Sequence, residues 1–352
     1  MRAFHQNLLE SGGVGILWRV PKGEYLQYGG QAIIEGVMMR TPRFFSVACR
    51  APNGEIVTTT EAIEKTWIGR QNWLKLPFLR GSLALLDSMA LGIRAMRFAS
   101  NIQLEAQYQK DVEAAKLEKV PSKRMQDISV AGAMVFALVF GIALFNLAPN
   151  LISANLGKAF GFKSDAAINF TTEMIKVIFF LGYVWLISRL PDIRRVFQYH
   201  GAEHKAINTL EAEQELTMEN CQAQTRLHPR CGTSFAIVVL IVSIIMFTPL
   251  PRPQLGNPML NGFVRFLVEI PLLSIVAGIS YELIRLAGKF RSQKWVNVLF
   301  APGLATQYLT TVEPEDDQVE VALTALVACM EAEAAAAAGT PIPVPEPQAE
   351  PA

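Results

Sequence analysis

Charge is scarce in this sequence: 18% of its 352 residues are Asp, Glu, Lys or Arg, while 51% are hydrophobic. A soluble domain usually carries about 25% charged side chains, so the shortfall sets part of the apolar complement against lipid rather than inside a core. Net charge is scarce too. Lys+Arg 32 against Asp+Glu 31 leaves +1, so no basic excess is available to neutralise phosphates and nucleic acid is not an expected partner. Cysteine is limited to Cys49, Cys221, Cys231 and Cys329, too few and too scattered for a disulfide framework. They read as thiols of a reducing compartment, free to be core residues or metal ligands. The opening MRAFHQNLLESGGVGILWRV lacks the unbroken apolar run of a secretory signal, so no cleaved signal is expected. Gly29, Gly30 and Gly36 are followed by no GKS or GKT and do not make a phosphate loop.

Long apolar runs are present instead. Ile128 to Ile152 holds no acid or base and exceeds the about 20 helical residues that cross a hydrocarbon core. Met174 to Leu190, Phe235 to Leu250 and Gly262 to Ala287 are three more, the last carrying Arg265, Glu269, Glu282 and Arg285. The expected fold class is a polytopic α-helical membrane protein of about four transmembrane helices, with a small β-rich N-terminal cytoplasmic module. Lys and Arg gather before the first run and between the second and third (Arg194, Arg195, Lys205, Arg226, Arg230), whereas the opposite connections hold only Lys158 and Lys163, or Arg252. By the positive-inside rule the basic sides, and both termini, are cytoplasmic.

The expected organisation is a flexible N-terminus over 1–24 and a β-rich cytoplasmic module over 25–75, in which VACRAPNGEIVTTT reads as a hairpin turning at Pro52-Asn53-Gly54. An interfacial helix and charged helical linker follow over 76–127; Arg80, Asp87 and Arg94 argue against a fifth span. A membrane domain occupies 128–310, with spans near 128–152, 174–190, 235–250 and 262–287 and a metal-site loop at 191–234. A cytoplasmic amphipathic helix over 311–338 and a Pro-rich disordered tail over 339–352 complete the chain. The lipid bilayer is thus the expected partner.

The loop between the second and third runs carries the chemistry. In HGAEH, His200 and His204 stand at i and i+4, which on a helix puts both imidazoles on one face where they can share a metal ion. Glu203 projects beside them, in the order of an inverted-zincin motif, where a carboxylate takes the proton of a metal-activated water. Further on, RLHPRCGTSF offers His228 and Cys231 at H-x-x-C spacing. The candidate ligand set is therefore His200, His204, His228 and Cys231, for a divalent metal of which Zn2+ suits these donors best. If all four coordinate, the site is closed and structural; if one stays away, an open position permits catalysis with Glu203 as base. Arg265 with Glu269 and Glu282 with Arg285 read as helix ion pairs, ahead of an ion relay. Glu35 and Arg40 stand in an apolar stretch and pair with each other or with Arg226 or Arg230.

Four ordered motifs, GGQAIIEGVMMR at Gly29–Arg40, FQYHGAEHKAIN at Phe197–Asn208, RLHPRCGTSF at Arg226–Phe235 and LTTVEPEDDQVEVALTAL at Leu309–Leu326, resemble the bacterial YqhQ-like membrane proteins. That family of unknown function is described as predicted metal-dependent enzymes. The resemblance covers about Tyr25 to Met330; it implies a multi-pass protein of the bacterial inner (cytoplasmic) membrane and supports His200, Glu203, His204, His228 and Cys231 as a family feature. It departs at Val312, where the family pattern has Arg, a position expected to be far from the site. The leading expectation is a metal-dependent hydrolase acting at the cytoplasmic membrane surface on a lipid-linked, peptide or other membrane-near substrate. The alternative is a non-catalytic membrane scaffold or assembly factor whose closed metal site docks a membrane-protein partner.

Overall fold

The computed structural model of the chain describes residues 28–63, 79–113, 123–289 and 293–339. The expected N-terminus 1–24, the tail beyond Gly339, residues 64–75 of the β-rich module and residues 114–122 of the linker lie outside the described residues.

Four strands, β1 (Gly29–Ile33), β2 (Gly36–Arg40), β3 (Phe44–Arg50) and β4 (Ile56–Ala62), form an antiparallel meander in sequence order. The expected hairpin is β3–β4, with Arg50 opposite Ile56 and Gly54 in the left-handed region at φ 88°, a conformation open to glycine at no steric cost. Between β1 and β2 the tight turn puts Glu35, a non-glycine, at φ 51°. Its carboxylate is held by Arg195 and by the Tyr199 hydroxyl at 3.2 Å, while Arg40 bonds Asp87 at 2.9 Å. Neither pairing is among those the sequence pointed to.

Both faces of this sheet are covered, which explains why β2 and β3 are apolar at nearly every position. On one face Val37, Met39, Phe44 and Ala48 pack against α5 (Pro191–Glu211) and α10 (Asp316–Ala338). On the other, Ile33, Met38, Phe45, Val47 and Cys49 meet Leu91, Ala95 and Ala99 of α1 (Leu79–Glu113). Helix α1 is one helix of 35 residues, so the stretch expected to be interfacial and the start of the charged helical linker are continuous. Its start rests on α8 (Pro258–Lys289), where Gly81 faces Tyr281 and Gly278, and its Arg94 pairs with Glu61 of β4.

Helix α2 (Lys123–Ile142), a π-helical turn (Ala143–Leu147) and α3 (Ala148–Phe160) run on continuously, followed by α4 (Asp165–Ile187), α6 (Met218–Ala223), α7 (Gly232–Phe247) and α9 (Lys294–Thr310). Among the described residues, four helices are long and apolar enough to cross a membrane: Val135–Phe160, Asp165–Ile187, Met259–Leu286 and Asp316–Ala338. The first reaches past the expected limit near Ile152, because the π-helical turn Ala143–Leu147 directly before Pro149 lets the helix run on through the proline. Helix α4 starts before the expected Met174; Ser164 caps it, accepting from the Ala167 amide, and its polar Asn169, Thr172 and Glu173 are buried in the bundle. Helix α7 has 16 residues, about 24 Å, fewer than a full crossing requires. The apolar side of α10 is occupied by protein: Val319, Ala322, Ala325, Leu326 and Met330 belong to the core against the sheet.

Candidate metal centre

Helix α5 opens with Pro191 in its first turn and Asp192 near the positive end of its dipole. It buries Tyr199, Ala202, Ala206, Ile207 and Leu210 against the sheet and α10. One turn apart, His200 and His204 bring their ring centroids to 4.4 Å. Each is aimed by a main-chain carbonyl, His200 Nδ1 lying 2.8 Å from Thr310 O and His204 Nδ1 2.6 Å from Arg226 O. A carbonyl only accepts, so Nδ1 of each ring carries a proton, which leaves Nε2 as the nitrogen able to coordinate an ion. Cys231 caps the N-terminus of α7, accepting from the Thr233 amide at 3.4 Å, and its Sγ stands 3.1 Å from His200 Nε2. The ligand atoms of His200, His204 and Cys231 all lie within 4.8 Å of one another. His204 Nε2 is buried and makes no hydrogen bond. An imidazole nitrogen orphaned among a second imidazole and a thiol is a donor set that fits a divalent ion.

Glu203 completes the cluster, with Oε2 at 3.6 Å from His204 Nε2 and 4.0 Å from His200 Nε2. It is 6% exposed. Burial pushes its carboxyl up to about 7, against the opposing pull of His200, the Gly30 main chain and Arg230. Gly30 of β1 is there because nothing larger fits: a β-carbon would come 2.7 Å from Glu203 Cγ and from Met38 O.

His228 stands apart from this group. Its main chain is clamped by Gln307 of α9, which accepts from His228 N at 2.8 Å and donates to His228 O at 2.7 Å. The ring lies 5.6 Å from that of His204, centroid to centroid; its Nε2 is 3.4 Å from Glu211 Oε1 and, like His204 Nε2, is buried without a hydrogen bond. Burial drives His228 down to about 4, so the ring is neutral at pH 7. Glu211 is held below the usual carboxylate range because His228 and Arg230 outweigh the effect of burial. Of the four expected ligands the structure brings together three.

The segment between α9 and α10 was expected to lie far from the site, and it lies against it. Thr310 supplies the carbonyl that orients His200, and Thr311 the carbonyl bonded by the Arg226 guanidinium. Val312 N donates to Phe197 O at 2.9 Å, and Val312 O passes so close to Gly201 that a β-carbon there would collide with it. Glu313 pairs with Lys205 at 2.5 Å and approaches Arg226 at 3.7 Å. The Thr310–Glu313 strap, Gly30, Gln307 and Glu211 are thus site residues that sequence reasoning missed; the ordered GGQAIIEG and TTVEP motifs were the signal for the first two.

A family model described as "Protein of unknown function (DUF1385)" matches residues 76–332. The chain is 35% identical over 297 residues to "Uncharacterized protein YqhQ" of Bacillus subtilis (strain 168), covering 84% of this chain and 90% of that protein. No solved structure matches it.

Proposed function

The chain belongs to the DUF1385 family of proteins of unknown function, and we propose that it is a membrane-embedded, metal-dependent hydrolase in which His200, His204 and Cys231 hold the ion and Glu203 is the base. The observation that carries this reading is the open ligand set: three donors converge within 4.8 Å, beside a buried acid, while His228 turns to Glu211. Three protein ligands with a free fourth position are the arrangement of catalytic zinc, whereas four filled positions are that of structural zinc. His200, His204 and Cys231 would hold a divalent ion, Zn2+ by their nitrogen and sulfur donors, and the chemistry it would supply is activation of a water toward a pKa of ~7.

The chain's own groups do the rest. Thr310 and Arg226 carbonyls fix the two imidazoles in the tautomer that presents Nε2. Glu203 Oε2, within 4.0 Å of both Nε2 atoms, takes the proton of the attacking water and returns it to the leaving group. Cys231 is the first residue ahead of apolar α7, which supports a site at the membrane surface and a lipid-linked or membrane-near substrate. Basic residues around the site, Arg194, Arg195, Lys205, Arg226 and Arg230, support a cytoplasmic placement in the bacterial inner membrane.

The test is Glu203→Gln. It is expected to retain metal in the detergent-purified protein and to fail to complement a deletion strain, with turnover lowered by about 10²–10⁴. Full complementation by Glu203→Gln removes the hydrolase. Metal that is bound tightly with no exchangeable water ligand points instead to a scaffold with a structural site.

A further inference from the structure

Helix α1 (Leu79–Glu113) has two sides engaged and one bare. Leu91, Ala95 and Ala99 pack on the sheet. At its start Gly81 is buried against α8, where a β-carbon would come 3.0 Å from Gly278 Cα, and Ser82 Oγ donates to Ser274 O at 2.6 Å. Close approach through glycine is a common contact between helices packed inside a membrane. The bare side is apolar: Leu85 is 36% exposed, Leu86 55%, Met89 54%, Ile93 44% and Met96 38%. At ~3.6 residues per turn these five side chains fall within about 100° of the helix circumference, a single stripe.

The depth of the contact with α8 says what covers that stripe. Met259–Leu286 of α8 is long and apolar enough to cross a membrane, and Ser274 stands near its middle, about 18 Å from Leu286 at ~1.5 Å per residue. Helix α1 therefore starts at the level of hydrocarbon. The sheet both precedes α1 in the chain and packs on its second half, so the chain goes in and comes out on one side. Arg94, paired with Glu61, and the exposed Arg97 stand about 18 and 22 Å further along α1 than Ser82, which is the climb from that depth to head-group level. Between them and the start, Asp87 is neutralised by Arg40 at 2.9 Å. The side chain of Arg80 lies outside the described residues. Backbone that turns back within a bilayer is tolerated where protein buries it, and Gly81 is buried.

We propose that α1 is a half-inserted helix whose Leu85–Met96 stripe lies in the acyl chains of the leaflet next to the sheet, with Arg94 and Arg97 at the level of its head groups. A soluble protein does not fit this stripe, because the stripe begins beside the middle of a spanning helix. The inserted helix also holds the sheet to the membrane: Gln31 Nε2 donates to Ser88 O at 3.3 Å, and Arg40 of β2 bonds Asp87. Gly30, which seats Glu203, lies between these two ties on β1 and β2.

The experiment places p-benzoylphenylalanine singly at Leu86, Met89, Met96 or Asn101 of the full-length protein, reconstituted in vesicles of dioleoyl phosphatidylcholine and dioleoyl phosphatidylglycerol. All four side chains are exposed, so the replacements leave the packing alone, and elution as wild type checks this. After irradiation, mass spectrometry is expected to find phospholipid joined at Leu86, Met89 and Met96 and none at Asn101, which lies beyond head-group level. The point of attachment on the oleoyl chain should move from near the methyl end at Leu86 toward the carboxyl end at Met96. Lipid adducts as sparse at Leu86 and Met89 as at Asn101, cross-links there between two copies of the protein, or one attachment depth for all three sites each overturns the proposal.

Discussion

Gly30 and Glu203 touch across the boundary between sheet and helix: a β-carbon on Gly30 would sit 2.7 Å from Glu203 Cγ. The acid beside the two histidines is therefore set from the first strand, and Gly30→Ala should displace it. Because Met38 O, a backbone atom, is equally close, relief by side-chain motion alone is not available. The expected loss is about 1–3 kcal/mol of stability, as for other overpacked sites, with loss of activity. Gly29→Ala, which meets nothing within 4 Å, should stay within about 0.5 kcal/mol of wild type. Denaturant unfolding in detergent compares the two.

His228→Ala and Cys231→Ser should separate sharply in metal content. Cys231 Sγ lies with the two Nε2 atoms, so its loss should remove the sulfur-to-metal charge-transfer band of the cobalt-substituted protein and most of the bound ion. His228 faces Glu211, so His228→Ala should keep both ion and band. Equal loss of metal in the two variants would restore the four-ligand site.

The pH dependence of the metal-free protein follows from Glu203. Its carboxyl rises from 4.5 to about 7 on folding, so the folded state holds a proton that the unfolded chain releases. Relative to Glu203→Gln, wild-type stability should be full below pH ~4.5, fall as pH rises to ~7 and then level off, over a range on the order of 3 kcal/mol. Thermal midpoints of the two proteins across pH 4–8 measure the difference. A gap that widens toward acid pH contradicts it.

Alkylation should single out one thiol. Burial pushes Cys49 and Cys221 up to about 11, and Cys329 is fully buried between α10 and the sheet. Cys231 is also buried but keeps 6% exposure against 0% for the other three, so iodoacetamide on the native protein at pH 8 should modify Cys231 alone, and added Zn2+ should protect it. Labelling at Cys49 at the same rate would show that the sheet module opens readily.

What could be read from the sequence was local. The β3–β4 turn declares itself in Pro52-Asn53-Gly54, and the i,i+4 spacing of His200 and His204 needs only a helix to become a shared face. What could not be read depends on distance along the chain. Thr310 O meets His200 Nδ1 across 110 positions, and no periodicity encodes such a meeting. The limits of the helices failed for a different reason. Polar Asn169, Thr172 and Glu173 looked like the end of an apolar segment, but they are inside the bundle and satisfied there, so α4 begins at Asp165. Helix α10 shows the converse, since it is apolar enough to span while its apolar side is taken by the sheet.

The meander is gripped from both sides by pieces from opposite ends of the described chain, α1 immediately after it and α10 at the close. On the ribosome, β1–β4 emerge first but have only one of their two faces covered until α10 has been made. The apolar helices between them are made in the meantime, so the sheet and the helices that cover it are the last part to close, and Glu203 is not seated against Gly30 before synthesis is nearly over. Truncation within α10 should accordingly leave a membrane-inserted chain whose early strands are prey to proteases.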